Sequence, residues 1–178
     1  MHPEAFVERL AAARIGTTYN FYRCGENADL RRARLVEYLA ARAEARLLLV
    51  GEAAGYRGAR VSGIPFTSER QVTGRAPGEA SATVVHRVLA ELGLAEDVLL
   101  WNAVPTHPHR PGRPESNRRP TGAEVAAGAA FVAELARGRL VVAVGRVAHG
   151  LLGGVYVRHP SHGGAAAFRS ALVDYAWP

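Results

Sequence analysis

The chain has 178 residues, 48% of them apolar and 21% charged, the balance of a globular protein long enough to bury a core. Its single cysteine, Cys24, excludes an internal disulfide framework and any multi-cysteine metal or iron–sulfur site. The formal charge of +6 is carried by arginine without one lysine, and it favours a polyanionic partner.

No apolar run approaches the roughly 18 residues of a membrane span. The N-terminus lacks a secretory pattern, so a cytoplasmic location is expected. In chain order, Phe6, Leu10 and Ala13 mark a short amphipathic helix over 2–14, and Leu35, Val36 and Leu39 a second over 30–42, with arginines on its other side. Residues 46–50 read as a first strand. Residues 51–77 are long, glycine-rich and irregular, which in a compact domain usually means a functional loop. A helix is expected over 80–92, where Val84, Val85, Val88, Leu89 and Leu92 form an apolar face and Gly93 ends it. A strand over 98–101 leads into a Pro/His/Arg loop reaching Pro120. Thr121 and Glu124 resemble a capping box opening a helix to about residue 137. Then come a strand at 140–144, a helix at 146–152, a strand at 155–157 and a closing helix at 165–172. This βαβα alternation predicts a single α/β domain over 1–178, a three-layer α/β/α sandwich around a mostly parallel four-stranded sheet.

Three segments stand out: LLLVGEAAGYRGARVSGIPF (47–66), VLLWNAVPTHPH (98–109) and VYVRHPSHGG (155–164). Each begins as a buried strand and breaks into polar or glycine-containing sequence. In an open parallel sheet, ligands bind beyond the carboxyl ends of the strands. Glu52, Asn102 and His159 therefore converge on one expected pocket. Glu52 suits the positioning of a water or the stabilisation of a developing cation, although a loop or helix-capping acid would look the same. Asn102 has both a donor and an acceptor for a base edge, or for tying down a loop. Phe66, presented after a proline, can stack on a nucleobase for about 1–3 kcal/mol, or tuck into the core. The glycines fit neither a dinucleotide fingerprint nor a phosphate-binding P-loop. His107, His109, His159 and His162 fit no standard zinc spacing, so no metal is expected. Arg110, Arg113, Arg118 and Arg119 are candidates for phosphate contacts, with a solvated proline-stiffened loop as the alternative.

Taken together, the three segments resemble the uracil-DNA glycosylase superfamily over roughly residues 46–170. GEAAGYRGARVSGIPFTS is similar to its first motif and base-stacking Pro-Phe, VLLWNAVPTHPH to the strand whose Asn reads uracil, and HPSHGG to its second active-site motif. RPGRPESNRRPT is similar to a stretch of the thermostable bacterial and archaeal branches. That branch carries a four-cysteine iron–sulfur cluster, which one cysteine cannot build, and Ala54 stands where its first motif usually has Pro. The resemblance implies a monomeric, cofactor-free enzyme that hydrolyses the N-glycosidic bond of uracil in DNA. In it Gly51, Phe66 and Asn102 would bind the base, His159 would stabilise charge on uracil O2, and Glu52 would orient water or offset oxocarbenium charge. Ser68, Arg110, Arg118, Arg119, Ser161, His162 and Gly163 would contact DNA phosphates, with residues 162–164 as a wedge lacking a bulky aliphatic. A single-stranded or mismatched substrate is therefore expected. Hypoxanthine or xanthine as substrate base, a catalytically weak nucleic-acid-binding protein, and a nucleoside hydrolase are the alternatives. The arginine-rich loop speaks against the last.

Overall fold

The computed structural model describes residues 1–76, 78–161 and 163–175. Its elements are α1 (Pro3–Ala12), α2 (Ala28–Ala41), β1 (Leu47–Ala53), α3 (Ala59–Ser62), α4 (Glu69–Thr73), α5 (Ala80–Glu91), β2 (Val98–Val104), α6 (Gly122–Ala136), β3 (Leu140–Val144), α7 (Arg146–Leu152), β4 (Val155–Val157) and α8 (Ala165–Val173). The strands form one sheet in the order β2-β1-β3-β4, and every pairing is parallel. A parallel sheet covered on both faces needs strands that are apolar throughout, which is what Leu47–Val50 and Val98–Trp101 supply.

Alternation along the strands sorts the core into two layers. Leu48, Val50, Leu99, Trp101, Ala103 and Ala143 pack against α1, α2, α6 and α7. Leu47, Leu49, Val98, Leu100, Val142 and Val144 pack against α5, α8 and Phe66. Trp101 is fully buried and meets Phe6 of α1 edge-on, with ring centroids 5.4 Å apart. The expected three-layer arrangement is the one observed. Two details differ. β1 and β2 each run further than their apolar cores, so Glu52 and Asn102 lie inside the last turns of pairing rather than beyond it, with Gly51 opposite Asn102. The segment after β1 is not wholly irregular, since it contains α3 and α4. In α2, Arg31 is buried and donates to the carbonyls of Phe21 and Val61, so the arginines of that helix are not all on a solvated side. Among the described residues, no helix is long and apolar enough to cross a membrane.

The loop between β2 and α6 is pinned from inside. Thr121 and Glu124 close the expected capping box, Glu124 N–H donating to Thr121 Oγ1 and Thr121 N–H to Glu124 Oε2. Glu124 is only 2% exposed, and Arg118 grips it with two bonds of 2.6 and 2.8 Å. The remaining Arg118 donors go to His109 O, Arg119 O and Thr17 Oγ1. With all five N–H groups engaged, Arg118 is a structural clamp and not the phosphate contact expected from the sequence. Ser68 is likewise corrected: it is 0% exposed, and its hydroxyl closes a capping box with Gln71 at the start of α4.

Arg118 holds the Glu124 carboxyl down at about 2. A depressed carboxylate contributes its full stability above the unfolded value of about 4.3 and loses it as pH falls through the folded value. Arg118→Ala should lower the free energy of unfolding by roughly 3 kcal/mol at neutral pH, because it strands a buried charge. In urea titrations, the loss of wild-type stability from about pH 5 down to about pH 2 should shrink in the variant.

Candidate active site

At the carboxyl ends of β1 and β2 lies a cavity of about 120 Å³, lined by Glu52, Ala53, Gly55, Ala59, Phe66, Glu79, Ser81, Asn102 and His159. A larger hollow of about 470 Å³ sits among Arg46, Arg137 and Arg139 near the other end of β1 and β3. There Arg139 is spent on backbone carbonyls and Arg46 on Asp97. The smaller cavity is the one at the strand ends where open α/β sheets bind ligands.

Phe66 forms one wall. It is a non-glycine residue at φ +52°, a conformation costly for an aromatic residue. A local network holds it there. Ser62 donates to Thr67 O at 2.6 Å, Thr67 donates to Pro65 O at 3.0 Å, and the His86 imidazole lies 2.9 Å from Thr67 Oγ1. Burial pushes the His86 imidazole below its ordinary value, although its contact with the Phe66 backbone counters this. The ring itself rests on β1 at Gly51, where a Cβ would come within 2.2 Å of Phe66 Cζ. Gly51 thus contributes to the pocket by leaving room for the ring.

Asn102 is 4% exposed, and among the described residues its carboxamide has no hydrogen-bond partner. Buried amides are normally paired, so one open to a cavity is a group left for a ligand. Glu52 is half-buried. Burial pushes its carboxyl up, and the nearby Arg119 pulls it partly back. Arg119 is exposed, as is Arg110 further out on the same loop. His159 follows β4 and faces Phe66, with ring centroids 6.3 Å apart and planes inclined by 31°. Ser161 N–H donates to His159 Nδ1 at 3.2 Å, and Ser161 Oγ lies 2.7 Å from the same atom. A backbone donor can only meet a lone pair, so the neutral ring carries its proton on Nε2. The Ser161 hydroxyl is thereby engaged in orienting His159. Gly163 sits in an exposed turn at φ +75°, and His162 lies outside the described residues.

Five residues expected from the sequence therefore meet at one place: Gly51, Glu52, Phe66, Asn102 and His159. Sequence reasoning missed Glu79 and Ser81. An acid at a helix start reads as a partner of the helix dipole, and only the tertiary fold turns it toward β1. His107, by contrast, is structural. Its Nδ1 is 2.9 Å from Ala54 O and its Nε2 3.2 Å from Pro114 O, joining the first motif to the arginine loop.

The architecture is similar to the crystal structure of SMUG2 from Pedobacter heparinus, with a TM-score of 0.67 over 99% of this chain and 96% of that one, at 16% identity. At that identity the likeness speaks for the fold. No curated protein matches the sequence. The family model of the uracil DNA glycosylase superfamily matches residues 39–177, which span all four strands and every residue lining the cavity. The matched span thus takes in the strand-end pocket with its amide, carboxylate and oriented imidazole, on the fold of a DNA glycosylase. The chain belongs to the uracil DNA glycosylase superfamily.

Gly51→Ala should drive the Phe66 ring off its seat, costing about 1–3 kcal/mol of stability as an overpacked site. The contact between the Phe66 and His159 rings should disappear from nuclear Overhauser spectra, while the Trp101–Phe6 contact stays.

Proposed function

We propose that the protein excises uracil from DNA as a monofunctional glycosylase, leaving free base and an intact abasic strand. The observation that carries this reading is the buried Asn102 amide, without a partner among the described residues, in the cavity shared by Phe66, Glu52 and His159. The amide suits the N3–H and O4 of uracil, and Phe66 supplies a stacking face. Uracil departs as a delocalised anion, so the reaction needs a donor near O2 rather than a strong nucleophile. His159 Nε2–H, fixed by Ser161, fills that role. As the C1′–N1 bond breaks, its electron pair leaves with the base. Glu52 offsets the oxocarbenium charge and accepts a proton from the water that adds to C1′. Arg119 and Arg110 form an exposed cationic rim for phosphates. The absence of lysine leaves no side-chain amine for a Schiff base. Single-stranded or mismatched uracil is the preferred substrate, since unstacking costs least there.

Oligonucleotides carrying uracil, hypoxanthine or xanthine, single- or double-stranded, followed by alkaline cleavage, test this reading. Uracil strands should be cut, and borohydride should trap no adduct. Asn102→Ala should reduce kcat/KM about 10- to 100-fold, matching the 1–3 kcal/mol of a bidentate base contact. Asn102→Asp should shift preference toward cytosine. Wild-type rates in both variants would remove Asn102 from the pocket chemistry.

Arg119→Ala should have two separable effects. The salt dependence of DNA affinity should flatten by close to one unit of slope on duplex. Since Arg119 pulls the Glu52 carboxyl down, its loss should also move the acid limb of the excision rate to higher pH.

A further inference from the structure

Glu79 is the one pocket acid that the reading above leaves without a task. It precedes α5 at the N-cap position, yet its side chain makes no cap bond. The carboxyl turns instead over the turn that follows β1. A Cβ at Gly55 would lie 2.4 Å from Glu79 Oε1, and one at Gly58 would lie 2.1 Å from Glu79 Oε2. Two side-chain-free positions thus form a cradle for both oxygens. Among the described residues the carboxyl has no hydrogen-bond partner, and it lines the same 120 Å³ cavity as Glu52, Asn102 and His159.

Glu52 and Glu79 line the same small cavity. Their surroundings differ. Glu52 has Arg119 to favour its anion, whereas burial alone acts on Glu79 and pushes it up. Glu52 on β1 and His159 beyond β4 line the same cavity as Glu79. Arg70 of α4 packs its Cδ toward Gly78, the residue before Glu79. A carboxyl buried without a charged or hydrogen-bonding partner favours its neutral form, whereas one beside an arginine favours its anion.

Resting on the glycosylase reading, we propose that Glu79 is a second donor to the departing base. Its protonated carboxyl, cradled by Gly55 and Gly58, hydrogen-bonds a base carbonyl opposite the anionic Glu52. The leaving anion is then met by two donors, His159 Nε2–H and the Glu79 O–H. No proton need transfer from Glu79, and the anion takes its proton from solvent after release. Above the pH at which Glu79 ionises, the donor becomes a negative acceptor facing a developing negative charge, and excision fails.

The test is single-turnover excision from a single-stranded uracil oligonucleotide between pH 6 and 9, approximate limits chosen below the ionisation of uracil itself, for wild type, Glu79→Gln and Glu79→Ala. The glutamine variant keeps a donor and cannot ionise. It should excise faster than the alanine variant at neutral pH and lose the alkaline limb. The alanine variant should fall about 10²-fold, as when one oxyanion donor is removed. A purely structural Glu79 would shift the melting midpoint and leave the pH profile alone. An alkaline limb unchanged in Glu79→Gln, or a wild-type rate in a folded Glu79→Ala, would overturn the proposal. If Glu79→Ala does not fold, the glutamine profile decides. If the wild type excises no base, the glycosylase reading is what fails. The infrared band of a protonated carboxyl at neutral pH, present in wild type and absent in Glu79→Gln, then still reads Glu79, and its absence from wild type would overturn the proposal independently.

Discussion

The parallel register of β1 on β2 is the constraint from which the site follows. Leu47 pairs with Val98, and stepping along the strands brings Gly51 opposite Asn102. Odd positions of β1 and even positions of β2 share one face of the sheet. Gly51, with Phe66 lying on it, and Asn102 therefore stand side by side above the α5 layer. A slip of one residue would exchange Asn102 for Trp101 on that face and push an amide into the layer behind α1. The apolar runs forbid it. Burial of Leu48, Leu49, Leu99 and Leu100 on two faces at once specifies the register, and the register in turn delivers the polar residues at its end.

Arg118 and Arg119 are adjacent in the chain and opposite in fate. One turns inward to a buried carboxylate that also caps a helix, and the other stays in water near a pocket carboxylate. The inward arginine fixes where the outward one begins. Electrostatics at the pocket edge thus rests on a largely buried ion pair. The same loop is held to the first motif by His107 and by Asn117, whose Oδ1 accepts the Tyr56 N–H at 2.9 Å.

Most of the architecture was legible because it is local. Apolar runs marked the four strands, valine and leucine spacing marked α5, and Thr121 with Glu124 marked the start of α6. Asn102 and Glu52 were identifiable as polar breaks in those runs. What escaped was set by long-range partners. Arg118 has the composition of a DNA contact, and nothing nearby in sequence announces Thr17, 101 residues away, as one of its acceptors. Ser68 looks like any loop hydroxyl until α4 forms beneath it. Glu79 has the position of a capping acid, and only the crossing of α5 over the Gly55–Gly58 turn aims it elsewhere.

The family match begins at residue 39, after most of the first two helices. Yet this earlier stretch is woven into the functional half. Tyr19 and His107 exchange backbone hydrogen bonds of 2.9 and 3.0 Å, Thr18 bonds Thr106, and Phe6 covers Trp101. The likeness to the solved SMUG2 structure, by contrast, extends over 99% of this chain, so the leading helices are part of the shared architecture. The leading segment acts as a splint, so substitutions in it reach the loop that presents Arg119 through Tyr19, Thr18 and their partners His107 and Thr106.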